Sequence, residues 1–420
     1  MTKATLTRAD GEALDLTDTL APVRDRFRLP EGVIYLDGNS LGALPEAAMT
    51  RLGEAVQVEW GEGLIRSWNR ADWVNLPQRI GAKLARLLGA DANEVIACDS
   101  TSVNLFKLLS AALALPEVRD DPKRRVILSE RGNFPTDLYM AQGLIALLND
   151  RFTLKLADGE DVAAALDETV AVAMITQVDY CSGRVHDMAA LNAKARKAGT
   201  RILWDLSHSA GALPVDLHQD GAELAVGCGY KYLNGGPGAP AYLYVKKSLQ
   251  TKMTTPLAGW FGHRAPFDFA GDYQPAPGIE RMLCGTPAVL AMQALDCGID
   301  TFDGVSMAAL RQKSLALSDL FWRLMDEQCG EYDFHCVSPR EHAARGSQLS
   351  FSHAKAYAVM QAIIDRGVIG DFRQPDLLRF GFTPLYTRFV DVFDAVTRLR
   401  EVMQSGAWQA ARYQTRQKVT

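Results

Sequence analysis

Arg201-Ile-Leu-Trp-Asp205 and, downstream of it, Cys228-Gly-Tyr-Lys-Tyr-Leu-Asn-Gly-Gly-Pro-Gly238 decide how this chain is read. The first is an apolar run closed by a carboxylate, and the second is a glycine-rich turn holding Lys231. Together they are what a pyridoxal phosphate (PLP) site needs. A lysine forms a Schiff base with the aldehyde, and a carboxylate keeps the pyridine nitrogen protonated so that the ring accepts electrons. A lone Asp after a strand is more often a cap or turn residue. Here Leu203 and Trp204 imply burial, and a buried carboxylate needs a positive partner, which a pyridinium would supply. The glycines after Lys231 let backbone come close to a ligand.

Outward from that pair, strand and helix alternate. Glu94–Cys98, Arg125–Leu128, Val170–Thr176, Arg201–Trp204, Ala222–Gly227 and Ala241–Val245 read as buried strands. Val103–Leu113 and Met188–Ala198 read as helices between them. Such alternation predicts an α/β fold with a mostly parallel mixed sheet covered on both faces, with ligands bound beyond the carboxyl ends of the strands. After Pro287 the texture changes. Long helical stretches (288–303, then 307–329) lead into shorter strands and two more helices. The expected division is a large domain over 49–299 and a smaller α+β domain formed by 1–48 and 300–420.

Other residues gain interest from their position. Asp99-Ser-Thr-Ser102 opens a helix; its hydroxyls and free N–H groups suit a phosphate, although every helix needs a cap. Tyr230 is well placed for the same phosphate. His208 is either a satisfied core-edge histidine or a group that orients Asp205 or touches the cofactor. Phe134, in Asn133-Phe-Pro-Thr-Asp137, is either a core ring or a ring that stacks on a flat cofactor. Arg379, in the apolar run Leu377-Leu-Arg-Phe-Gly381, needs a carboxylate, either the protein's or an amino acid substrate's.

Bulk properties narrow the class. With 420 residues the chain exceeds one small core, and 48% hydrophobic content rules against disorder. A net charge of −5 without a basic run gives no reason to expect nucleic acid or acidic membrane as a partner. No apolar stretch is long enough to span a bilayer, and the N-terminus lacks a signal-peptide core, so a cytoplasmic protein is expected. Seven cysteines without C-x-x-C spacing imply reduced thiols, and no histidine stands in a metal-ligand motif, so no metal is expected. Neither a P-loop, nor a dinucleotide fingerprint, nor G-x-S-x-G is present.

Asp205-Leu-Ser-His208, Gly229–Gly238, Gly259-Trp-Phe-Gly-His263 and Arg379-Phe-Gly-Phe-Thr-Pro-Leu-Tyr386 together resemble the kynureninase family. Tyr35-Leu-Asp-Gly-Asn-Ser-Leu-Gly42, Asn133–Asp137 and Arg311–Leu317 fit the same family, and the resemblance runs from about residue 15 to about 400. It implies the aspartate aminotransferase fold (fold type I) and a homodimer with its active site shared between subunits. The implied activity is PLP-dependent hydrolysis of L-kynurenine to anthranilate and L-alanine in tryptophan catabolism, with 3-hydroxykynurenine as a second substrate to consider. By motif, Lys231 would be the Schiff-base lysine, Asp205 the pyridinium partner and Tyr230 a proton relay. Thr101, Ser102, Phe134, Pro135, Thr136, Asp137, Thr176, His208 and Tyr230 would line the cofactor. Trp260 and Thr286 would complete the phosphate site from the other subunit. Arg379 would bind the substrate carboxylate, with Trp68, Gly285 and Thr286 facing its aromatic ring. One departure is Ser207, where Ala is commoner. The nearest alternative is another enzyme of that fold, such as a cysteine desulfurase or a small-substrate aminotransferase.

Overall fold

A computed structural model describes residues 5–417. Its centre is a seven-stranded sheet in the order Val95–Ala97, Tyr242–Val245, Leu224–Gly227, Ile202–Asp205, Val170–Thr176, Val126–Glu130 and Thr153–Ala157. The five strands from Leu224–Gly227 to Thr153–Ala157 run parallel, while Tyr242–Val245 is antiparallel to both its neighbours. The expected α/β architecture, mostly parallel but mixed, is therefore observed. Buried aliphatic cores lie on both faces of this sheet, which is why its central strands are continuous apolar runs rather than alternating ones.

The register positions the chemistry. Thr176 pairs with Asp205, and Asp205 with Val226, so three neighbouring strands end level with one another at their carboxyl ends. Trp204, completely buried, donates its indole N–H to Asn192 Oδ1 at 3.0 Å and anchors the strand one residue before the carboxylate.

One strand was not foreseen. Thr153–Ala157 lies at the sheet edge, where Thr153 and Lys155 are exposed. An edge strand needs only one buried face, so its sequence lacks the apolar run that marks the inner strands.

Beyond the long helix Met307–Cys329, a four-stranded antiparallel sheet forms in the order His335–Cys336, Gln348–Ser352, Leu377–Gly381 and Asp371–Arg373. The helices Ala356–Ile364 and Phe389–Ser405 share a separate core with it. The N-terminal stretch joins this part of the molecule. Ile34–Tyr35 pairs in parallel with Val368–Ile369, and the Asp15 carboxylate accepts from the N–H groups of Phe389 and Val390 at 2.7 and 3.0 Å. All seven cysteines are free. Asp91, Glu94 and His218 bring three potential ligand atoms within 4.8 Å of one another. Glu94 is already engaged there, accepting from the Lys247 N–H at 2.7 Å and pairing with His218 at 2.5 Å.

Candidate active site

A cavity of about 240 Å³ opens where the parallel strands end, and it is lined by Asp205, His208, Tyr230 and Lys231 together with Ser100, Thr101, Ser102, Phe134, Thr136 and Thr176. A larger cavity, about 500 Å³, is walled by aliphatic residues such as Leu44, Leu52, Val56 and Leu290 and holds no titratable group. Chemistry therefore belongs to the smaller one.

Asp205 ends its strand with its side chain almost wholly buried (4% exposed). Ser207 donates twice to the same oxygen, Oδ1, from its backbone N–H at 2.8 Å and its hydroxyl at 2.6 Å. Among the described residues, Oδ2 takes no protein donor. Burial raises the Asp205 pKa above the usual carboxylate range. Behind it, fully buried Asp137 is raised further, by burial and then by the negative charge of Asp205. Asp137 Oδ1 has no hydrogen-bond partner, and Oδ2 lies 3.5 Å from Thr176 Oγ1. Two buried carboxyl groups at one end of a cavity create a demand for a cation there, and a protonated pyridine ring meets it.

Lys231 stands across from them. Its Nζ lies 3.0 Å from His208 Nε2 and 5.7 and 5.8 Å from the ring centroids of Phe134 and Tyr230. His208 has its pKa pushed well below the usual histidine range, by burial and then by the charge of Lys231, so the neutral ring offers Nε2 as an acceptor for the lysine amine. Phe134 packs edge-on against Tyr180 at 5.1 Å, which fixes the ring at the cavity wall.

The third feature is an anion site. Two helices, Thr101–Leu113 and Pro135–Leu147, both begin at the cavity. Their first turns present N–H groups and hydroxyls, and Ser102 Oγ lies 2.8 Å from Thr136 Oγ1. Helix starts of this kind hold phosphate. A cation-demanding end, an amine and a phosphate-binding end fit PLP.

Lys231, Tyr230, Asp205, His208, Thr101, Ser102, Phe134, Thr136 and Thr176 are thus brought together. The other candidates lie elsewhere. Pro135 is an exposed first-turn residue, and Asp137 sits behind the wall. Trp260 packs against Phe261, Phe267 and Phe269, and Trp68 packs against Trp73 and Phe261. Gly285 and Thr286 are exposed, in a segment whose Cys284 carbonyl accepts from the Phe261 N–H at 3.0 Å. Trp68, Trp260 and Gly285-Thr286 therefore form a second group around Phe261, apart from the cavity.

Arg379 also stays out of the cavity wall. It is 1% exposed, and its guanidinium is fully engaged: Nε donates to Asp371 Oδ1 at 2.8 Å, and Nη2 donates to Ser40 Oγ at 2.9 Å and to Asp371 Oδ2. Nη1 donates to the carbonyl of Tyr180, itself a lining residue. The need for a carboxylate partner is met by the protein, one layer behind the wall.

One lining residue was not singled out from sequence: Tyr180 follows the Val170–Thr176 strand in a loop, the place where an aromatic reaches a ligand. Ser100, from the Asp99–Ser102 segment, and Ser207, the departure from the family pattern, also line the cavity. Asn133 underlies it, accepting from Thr176 Oγ1 at 2.5 Å and the Phe134 N–H at 2.7 Å. A polar residue just past each strand end was the available signal.

Known proteins extend this picture. The family described as "Kynureninase C-terminal domain" matches residues 310–399. A curated protein named Kynureninase from Burkholderia mallei (strain SAVP1) is 55% identical over 415 residues, covering 99% of this chain and 100% of that protein. Kynureninase from Pseudomonas fluorescens is 53% identical over 415 residues with the same coverage. Among solved structures, an apo cysteine desulfurase from Thermococcus onnurineus NA1 superposes with a TM-score of 0.77 at 19% identity, covering 91% of this chain and 98% of that one. A structure of C-DES with glycine covalently linked to its PLP cofactor gives 0.76 at 18%, covering 90% and 99%. At such identities the solved structures speak for the fold, fold type I, alone. The full-length relatives speak for more: this chain belongs to the kynureninase family.

Proposed function

We propose that the chain is a PLP-dependent hydrolase that splits L-kynurenine, with water, into anthranilate and L-alanine. The observation that carries this reading is one cavity lined by both Lys231 and Asp205 at the start of two helices. Lys231 would hold PLP, which would supply an electron sink for the charge developing at the substrate Cα. Asp205 Oδ2 would hold the cofactor's ring nitrogen, while Ser207 occupies Oδ1. Thr101, Ser102 and Thr136 would hold the phosphate, and Phe134 would stand at the ring. The Lys231 amine would take the substrate Cα proton, and neutral His208, 3.0 Å from that amine, would hold it in place. Tyr230, on the cavity wall beside Lys231, is the relay that returns a proton to the alanine fragment after the Cβ–Cγ bond breaks.

The division into 49–299 and 1–48 with 300–420 is supported by the two sheets and by the core that joins Ile34 and Leu36 to the C-terminal helices, while Leu20, Val23, Phe27, Leu310 and Leu385 pack into the core of the large sheet. A homodimer is supported by the aliphatic cavity beside exposed Val56, Val58, Trp60, Leu64 and Ile65. It is supported also by the grouping of Trp68, Trp260 and Thr286 away from their own chain's cavity, where they can complete a neighbour's. No helix among the described residues is long and apolar enough to cross a membrane, and we place the enzyme in the cytoplasm. L-kynurenine is the preferred substrate in this reading, with the 3-hydroxy form turned over less well.

The test is direct. Purified protein with PLP and L-kynurenine should release fluorescent anthranilate and alanine in equal amounts. PLP bound at the site with no anthranilate formed would overturn the substrate assignment. For Arg379, the proposal is that the substrate carboxylate replaces the Tyr180 carbonyl on Nη1. Arg379→Lys keeps the charge but loses the fork, so KM for kynurenine should rise about tenfold or more while PLP affinity holds. An unchanged KM would leave Arg379 as a tie for Asp371 only.

A further inference from the structure

The helix that begins at the phosphate end carries a lysine the chemistry above does not use. Lys107 is completely buried, with 0% of its side chain exposed. Its Nζ donates to the Met282 carbonyl at 2.5 Å, lies 3.9 Å from Cys98 Sγ, and pairs with the carboxylate of Asp99. A buried ammonium is tolerated only where it is paired, so Asp99 accounts for its presence. Asp99 in turn sits immediately before Ser100, the cap of the Thr101–Leu113 helix, in a left-handed conformation with φ of +49°. Its carbonyl accepts from the Ala241 N–H at 3.0 Å, which fixes the turn to the neighbouring strand.

This arrangement has an electrostatic consequence. A carboxylate at that turn complements the helix start, but it also stands next to the residues that receive a phosphate. Uncompensated, its charge would repel a phosphate carrying nearly two negative charges. Lys107 reaches back along its own helix, through the interior, and cancels it. We propose that Lys107 is the buried counter-charge that lets the Asp99-Ser-Thr-Ser102 turn accept the cofactor's phosphate. It is a positioning residue, not a catalytic one. The proposal rests on the reading that the cofactor is PLP.

The experiment titrates the full-length protein, stripped of cofactor, with PLP and with pyridoxal, which has the same ring and aldehyde but no phosphate. Absorbance of the lysine adduct is the readout. Lys107→Met should weaken PLP binding about tenfold or more and leave pyridoxal binding within about twofold. The double variant Lys107→Met with Asp99→Asn should bind PLP within about threefold of the unmodified protein, because the repelling charge is gone with its counter-charge. The double variant contains no unpaired buried charge, and Asn accepts a left-handed φ, so it remains readable if the single variant does not fold. Double-variant PLP affinity reduced about tenfold, pyridoxal weakening in parallel with PLP, or unaltered PLP binding in Lys107→Met would each overturn the proposal. Failure of the unmodified protein to bind PLP would instead refute the cofactor assignment itself.

Discussion

Lys231→Ala is expected to eliminate both the visible absorbance of the bound cofactor and turnover of L-kynurenine. The variant loses the nucleophile that fixes the aldehyde and the base that takes the Cα proton. General-base catalysis alone is worth about 10²–10⁴ in rate, and here the covalent anchor disappears with it. Among the described residues no other lysine lines the cavity to substitute, since its remaining walls are hydroxyl, aromatic, imidazole and carboxylate side chains. The fold should survive, because Lys231 is half-buried and, among the described residues, its side chain hydrogen-bonds to His208 alone. Near-normal kcat in a protein with a normal melting profile would defeat the assignment.

The second large effect is expected at Asp205. Asp205→Ala removes the carboxylate partner of a buried cation, and breaking such a pair costs about 3–5 kcal/mol, or roughly 10²–10⁴ in affinity. Cofactor binding and rate should fall together, measured by PLP titration and by anthranilate release. Asp205→Asn separates the two effects. Its carbonyl oxygen can still accept from Ser207, but its amide donates where the carboxylate accepted, so the ring nitrogen can no longer be held protonated. That variant should bind PLP more nearly normally and still turn over slowly. If it matched the unmodified rate, Asp137, buried beside Asp205 with an unpartnered oxygen, would be the group that holds the nitrogen.

The inner strands were legible because burial on both faces demands unbroken apolar runs, as in Val170–Thr176 and Arg201–Trp204. The edge strand Thr153–Ala157 was not legible, since one exposed face lets lysine and threonine into it. At the site, Asp205 and Lys231 were legible because a carboxylate closing an apolar strand and a lysine in a glycine-rich turn are costly unless something uses them. Tyr180 was hidden because a tyrosine in a loop is common anywhere, and Ser207 stood out only as a departure from the family's commoner Ala. Arg379 shows the limit of residue type. An arginine in an apolar strand announces a carboxylate, and only the fold tells that Asp371, eight residues earlier, supplies one.

The fold does not by itself choose the reaction. Cysteine desulfurases share it closely, and they were the nearest alternative on sequence. What separates this chain from them is its full-length identity to kynureninases.

The central claim is that PLP is held on Lys231 in this cavity. Borohydride reduction of the protein with its cofactor, followed by digestion and mass mapping of the modified peptide, tests it most directly. The account predicts a single pyridoxyl-phosphate adduct on the peptide that contains Lys231. An adduct on any other lysine, or none in a protein that still produces anthranilate from kynurenine, would contradict it.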